Sequence, residues 1–189
     1  MPDKGVEKSV YAQTVLDFVT VSVEFCAFLE NNEALSRLDW INRMTRLLPL
    51  MYIKASLLPE TVIVSDDIPE VFVSEDDYAR VSTNVSQIMA DEDVYLDVFV
   101  EDMKYSDTPI TSFISEDIAD IYQDVRNFVS IYQYGLTDQM NDALYRCTIN
   151  FRNYWGQKLV NVLRPLHALL YREQDEEDMD GIKMEEKWD

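Results

Sequence analysis

At 189 residues the chain is one domain in length, and its 36 acidic against 16 basic side chains give a formal net charge of −20. An apolar content of 47% is too high for a disordered acidic chain and predicts a packed core. Four scattered glycines, Gly5, Gly135, Gly156 and Gly181, exclude a glycine-rich phosphate loop, and the sign of the charge argues against nucleic acid or an anionic membrane as a direct ligand.

After an N-terminal tail over residues 1–8, Val15, Phe18, Val19, Ser22, Phe25, Cys26 and Leu29 recur at threes and fours, predicting a helix from Ser9 to Glu30. Ser36 begins a second, with Asp39 at its third position and Leu35 placed to staple onto Trp40. Its stripe is Ile41, Met44, Leu48, Met51, Ala55 and Leu58. Pro49 removes a backbone donor in the middle, so a kink or a break into two short helices is expected before Pro59 ends it. Between Pro59 and Val73, Thr61–Val64 suits a strand but has no visible partner. Ser74 with Asp77, and Val73 against Tyr78, mark a third start, followed by Val81, Val85, Ile88 and Met89. From Val94 to Tyr105, alternation at Val94, Leu96, Val98 and Val100 competes with the helical pairs Tyr95–Phe99 and Val94–Val98; helix is the preferred reading.

Ser115 opens the next helix, with Glu116 and Asp117 in its positive first turn, a core face from Ile118 to Tyr132, and Gly135 at its end. From Thr137, Met140, Leu144, Cys147, Phe151, Trp155, Leu159, Val162, Leu166 and Leu170 are separated only by threes and fours. They predict one long helix to Arg172, bent at Pro165. Nine acids against two lysines from Glu173 onward, a net of −7, predict an acidic disordered tail over 173–189 and leave −13 on the rest. The elements add up to an all-α, single-domain helical bundle of five to seven helices over residues 9–172, with a long C-terminal helix. The N-terminus lacks the order of a signal peptide, charges interrupt the apolar stretches, and Cys26 and Cys147 sit on apolar faces. A cytoplasmic protein with reduced cysteines and no membrane contact is expected.

Two stretches go beyond generic helix: Ser115-Glu116-Asp117-Ile118-Ala119-Asp120-Ile121-Tyr122 and Asn153-Tyr154-Trp155-Gly156-Gln157-Lys158. With Leu47-Leu48-Pro49-Leu50, they resemble a family of uncharacterised bacterial proteins defined only as a domain of unknown function, over about Phe18 to Leu170. The resemblance implies a compact helical bacterial protein and no particular activity.

Asp117, Asp120 and Asp124 stack on one side of their helix. Arg146, Asn150, Asn153, Gln157, Asn161 and Arg164 form a stripe of amides and arginines on the long helix. The two stripes are expected to meet as a polar seam, satisfied internally or opening as a cleft for a polar small molecule or a partner segment. The candidate binding residues are Asp117, Asp120, Asp124, Arg146, Asn150, Asn153, Trp155, Gln157 and Arg164. Gly156 beside Trp155 would admit a close approach to the backbone, by a ligand or by another helix. With His167 as the sole imidazole and arginine at 164, a di-iron carboxylate pattern is excluded. No metal or cofactor is implied, although a carboxylate-only magnesium or calcium site stays open. No nucleophile–base motif is visible. Three functions compete: a protein that binds a partner, basic in character, through its acidic surface or the seam; a DNA mimic presented to a nucleic-acid-binding protein; and a divalent-metal enzyme using Asp117, Asp120 and Asp124.

Overall fold

The computed structural model describes residues 9–31, 35–65, 70–97 and 110–185, with side chains as far as residue 173. Its elements are α1 (Gln13–Glu30), α2 (Arg37–Ser56), α3 (Glu75–Met89), a 3₁₀ turn (Ala90–Asp93), β1 (Val94–Asp97), β2 (Ile110–Phe113), α4 (Ile114–Gln133), α5 (Thr137–Asn150), a π-helical turn (Phe151–Trp155) and α6 (Gly156–Glu185). Because α5, the π turn and α6 are continuous, the described residues form five helical rods beside a two-stranded ribbon. The architecture is all-α, with a long C-terminal rod.

Local caps define two rods. The Ser36 hydroxyl accepts the Asp39 amide at 3.1 Å, and Ser74 with Asp77 forms a reciprocal capping box. Helix α4 runs through the middle, packing on α1, α3, α5 and α6. Its buried face carries Ile118, Ile121, Tyr122, Val125 and Phe128. Phe18 of α1 lies 5.4 Å from the Phe128 ring and 6.3 Å from Trp155, so three rods meet on one aromatic cluster. Gly135, at φ 71°, turns the chain out of α4. No described helix is long and apolar enough to cross a membrane.

Several elements depart from the sequence expectation for identifiable reasons. Ser9 and Val10 are already helical, as expected, but the chain breaks at Tyr11 and Ala12 before α1 runs on from Gln13, and the Val10 carbonyl accepts the Tyr132 hydroxyl at 2.8 Å. Pro49 does not split α2, since it forfeits one backbone bond while buried Leu48 and Met51 anchor the helix on both sides. Val94–Asp97 is a strand, not helix, because Ile110–Phe113 supplies an antiparallel partner, Val94 opposite Phe113 and Leu96 opposite Thr111; residues 98–105 of that stretch lie outside the described residues. Thr61–Val64 belongs to neither helix nor strand. Side chains of α5 hold it instead: Asp142 accepts the Val64 and Ser65 amides at 2.9 and 3.0 Å, and Asn141 donates to the Val62 carbonyl at 2.7 Å. Past Arg172 the backbone stays helical to Glu185, over residues expected to be a disordered tail. That run contains strong helix formers and extends a helix already nucleated.

Helix α4 has no capping side chain at its N-cap, Phe113. Buried Asp93, at the end of the 3₁₀ turn, supplies one from a distance: it accepts the Ser115 amide at 2.8 Å and the Ser115 hydroxyl at 2.7 Å. One carboxylate therefore satisfies an orphan amide and complements the positive helix end.

Candidate functional site

The seam is built from antiparallel turns of α4 and the long rod. Asn150 donates to Asp124 at 2.6 Å, Tyr154 to Asp120 at 2.8 Å, and Lys158 to Asp117 at 2.7 Å. The Lys158 ammonium also lies 2.8 Å from Asp120, bridging the two carboxylates. Flanking elements complete the network: Tyr78 of α3 donates to Asp120 at 3.0 Å, Tyr95 of β1 donates to Asp117, and Asn161 donates to Asp97 at 3.2 Å.

Only the first of these contacts uses the anticipated pairing. The amide and arginine stripe keeps its face as far as Asn150 and then loses it in the π turn. Each π step widens the ladder by one residue, which rotates everything beyond it by about 100° relative to a straight α-helix. Asn153 and Gln157 thereby turn to solvent, while Tyr154 and Lys158 turn onto α4. Trp155 is fully buried, donates to the Cys147 carbonyl at 3.2 Å and belongs to the core. Gly156 serves the turn itself, its amide bonding the Phe151 carbonyl five residues back. A β-carbon there would lie 2.3 Å from that carbonyl oxygen and 2.7 Å from the Phe151 ring. The close approach therefore comes from within the rod, neither from a ligand nor from another helix.

The apolar spacing carried a signal of this shift. Cys147, Phe151, Trp155 and Leu159 are three successive steps of four, and each step overshoots a helical turn by about 40°. A straight α-helix would place Leu159 about 120° from Cys147, yet both are buried. An inserted residue reconciles them.

Electrostatically, the seam has a closed end and an open one. At the closed end, burial opposes the charge on Lys158, but its hydrogen bonds to Asp117 and Asp120 outweigh that and hold the ammonium above its ordinary range. Burial, reinforced by the neighbouring carboxylates, raises the phenols of Tyr78 and Tyr95 and pushes Tyr154 up to about 12. Every acceptor there faces a hydroxyl or the ammonium. Among the described residues no group of three histidine, cysteine, aspartate or glutamate side chains is arranged to hold a metal ion. At the other end, among the described residues, Asp124 has Asn150 as its one hydrogen-bond donor. Burial raises its pKa, Asn150 partly offsets this, and the charge of Asp120 adds to the rise.

Beside Asp124 lies a cavity of about 140 Å³ between α4 and α5, shared with Asn150, Arg146, Asn127 and Glu70 and backed by Phe128 and Cys147. Arg146 is exposed and makes no ion pair with a described residue. Arg164 lies elsewhere, with Val94, Leu96 and Val160 in a wider groove of about 590 Å³ between β1 and α6. Among other reactive groups, both cysteines are buried; desolvation pushes the Cys26 thiol up to about 12 and Cys147 well up. His167 is exposed and packs against Tyr171.

Residues 9–172 match the model of a family described as Domain of unknown function (DUF5063). The chain is also similar to protein BF1032 from Bacteroides fragilis, a structural-genomics crystal structure: they share 42% identity over 85% of this chain and 94% of that one, with a TM-score of 0.77. No curated protein matches.

Proposed function

The chain belongs to the DUF5063 family, and from that premise, which assigns no activity, we propose that it is a ligand-binding module whose contact surface is the open end of the seam: Asp124, Asn150 and Arg146. The contrast between the two ends carries this reading. Asp117, Asp120, Lys158 and the three tyrosines saturate one another, whereas Arg146 and Asp124 line one cavity without an ion pair to any described residue. Chemistry at the closed end is disfavoured, because an ammonium held charged is neither a nucleophile nor a base. The two thiols are equally unsuited, since burial disfavours the thiolate.

The test is a thermal-shift screen of small carboxylates, amines, amino acids and phosphates on the wild type and on Arg146→Ala. A hit should raise the wild-type Tm and lose its effect in the variant. If no compound raises Tm, or if hits act equally on both proteins, the open end is not the site. Capture of a basic nucleic-acid-binding protein that ignores Arg146→Ala and collapses in moderate salt would move the function to the acidic surface.

A further inference from the structure

The cavity beside Asp124 has a composition that selects among ligand classes. It presents a guanidinium, Arg146, and two carboxylates, Asp124 and Glu70, within one small space. Asp124 Oδ1 takes the Asn150 amide, and no described side chain donates to Asp124 Oδ2. Asn127 spends its oxygen on the Phe72 and Val73 amides, at 2.8 and 3.0 Å, which leaves its amide nitrogen as a donor beside the cavity. The remaining lining is apolar: Val71, Phe128, Ile131, Ala143 and Cys147.

Resting on the reading of this cleft as a binding site, we propose that its ligand is a free α-amino acid with a small aliphatic side chain. The ligand ammonium satisfies the spare oxygen of Asp124, with Glu70 as a second acceptor. The ligand carboxylate takes the Arg146 fork, with the Asn127 amide as a second donor, and the side chain lies on the apolar wall. Size points the same way. A cavity of about 150 Å³ accommodates benzene, which has six non-hydrogen atoms; the 140 Å³ here matches alanine, which has the same number. The charge pattern excludes simpler ligands: a monocarboxylate leaves Asp124 without a cation, and a monoamine leaves Arg146 without an anion. In a small, partly desolvated space each unmet partner weakens binding strongly.

The measurement is a ¹H–¹⁵N NMR titration of the full chain with alanine, propionate and ethylamine. Alanine should give saturable shifts at the Asp124, Arg146 and Asn150 amides, with propionate and ethylamine at least tenfold weaker. Arg146→Ala and Asp124→Asn should each weaken alanine at least tenfold while leaving the far-ultraviolet dichroism unchanged. If propionate or ethylamine saturates as well as alanine, the amino-acid assignment is wrong while the binding cleft stands. If none of the three perturbs the cleft, the amino-acid assignment is again wrong, and the thermal-shift screen separately decides whether the cleft binds anything else. If alanine binds but the shifts map to the groove between β1 and α6, the assignment of this cavity is overturned.

Discussion

Replacing Lys158 with methionine isolates what the ammonium does between Asp117 and Asp120. The thioether keeps most of the aliphatic stem, so packing is nearly conserved and the charge alone is lost. The two carboxylates retain their tyrosine donors but lose the cation 2.7 and 2.8 Å away. Breaking a fully buried pair costs about 3–5 kcal/mol. Here the lysine side chain keeps 25% exposure against 7% and 16% for the aspartates, so water screens part of the loss and about 2–3 kcal/mol is expected. The sign of the pH dependence follows from the residual charges. Without the ammonium, the two carboxylates repel each other in the folded variant more than in the unfolded chain. The resulting penalty is full where both are ionised and fades as pH falls and one of them takes up a proton. Urea unfolding of both proteins at about pH 7.5 and about pH 4.5 should show a smaller deficit at the lower pH. A deficit equal at both pH values, or below about 0.5 kcal/mol at neutrality, would refute a cation-bridged carboxylate pair.

Gly156→Ala tests the π turn. In an ordinary helix the change stabilises by about 0.5–1 kcal/mol, but the clash with the Phe151 carbonyl and ring predicts a loss of about 1–3 kcal/mol, read by thermal or urea unfolding; a gain in stability would remove the turn's constraint. Alkaline titration tests the phenols. Tyr154 has its ordinary value near 10 when unfolded and about 12 when folded, so its contribution is complete below pH 10 and is lost as pH rises through 12. Tyr78, Tyr95 and Lys158 are shifted in the same direction. Tm should fall over that interval and fall less steeply in Tyr154→Phe; a flat profile from pH 10 to 12 would contradict the hydrogen-bonded phenol network.

Legibility in the sequence tracked locality. The caps at Ser36 and Ser74 and the turn at Gly135 depend on residues within a few positions, and each was visible. The strand at Val94 shows in the sequence only as an alternation that competes with helical pairs, because its stability comes from a partner whose nearest pair, Asp97 with Ile110, is far along the chain. The three aspartates of α4 stand out in the sequence as a stack, but a single helical wheel does not find their partners. Extending that wheel through Phe151–Trp155 assigned Asn153 and Gln157 to a face that Tyr154 and Lys158 occupy. Tyr78 and Tyr95 reach the same carboxylates from other elements, and no spacing rule within one helix reports such convergence.

The capping of α4 by Asp93 has a consequence for assembly. Most helices carry their starting instruction in the residue at their own boundary; this one takes it from 22 positions upstream. Its first turn gains that acceptor only once the chain from 93 to 115 has closed on itself, and closing such a loop has an entropic cost that a local cap avoids. The rod against which three others pack thus has a beginning that is conditional on tertiary structure. Ribbon and bundle are thereby coupled into one cooperative unit, since opening the first exposes the unpaired amides of the second.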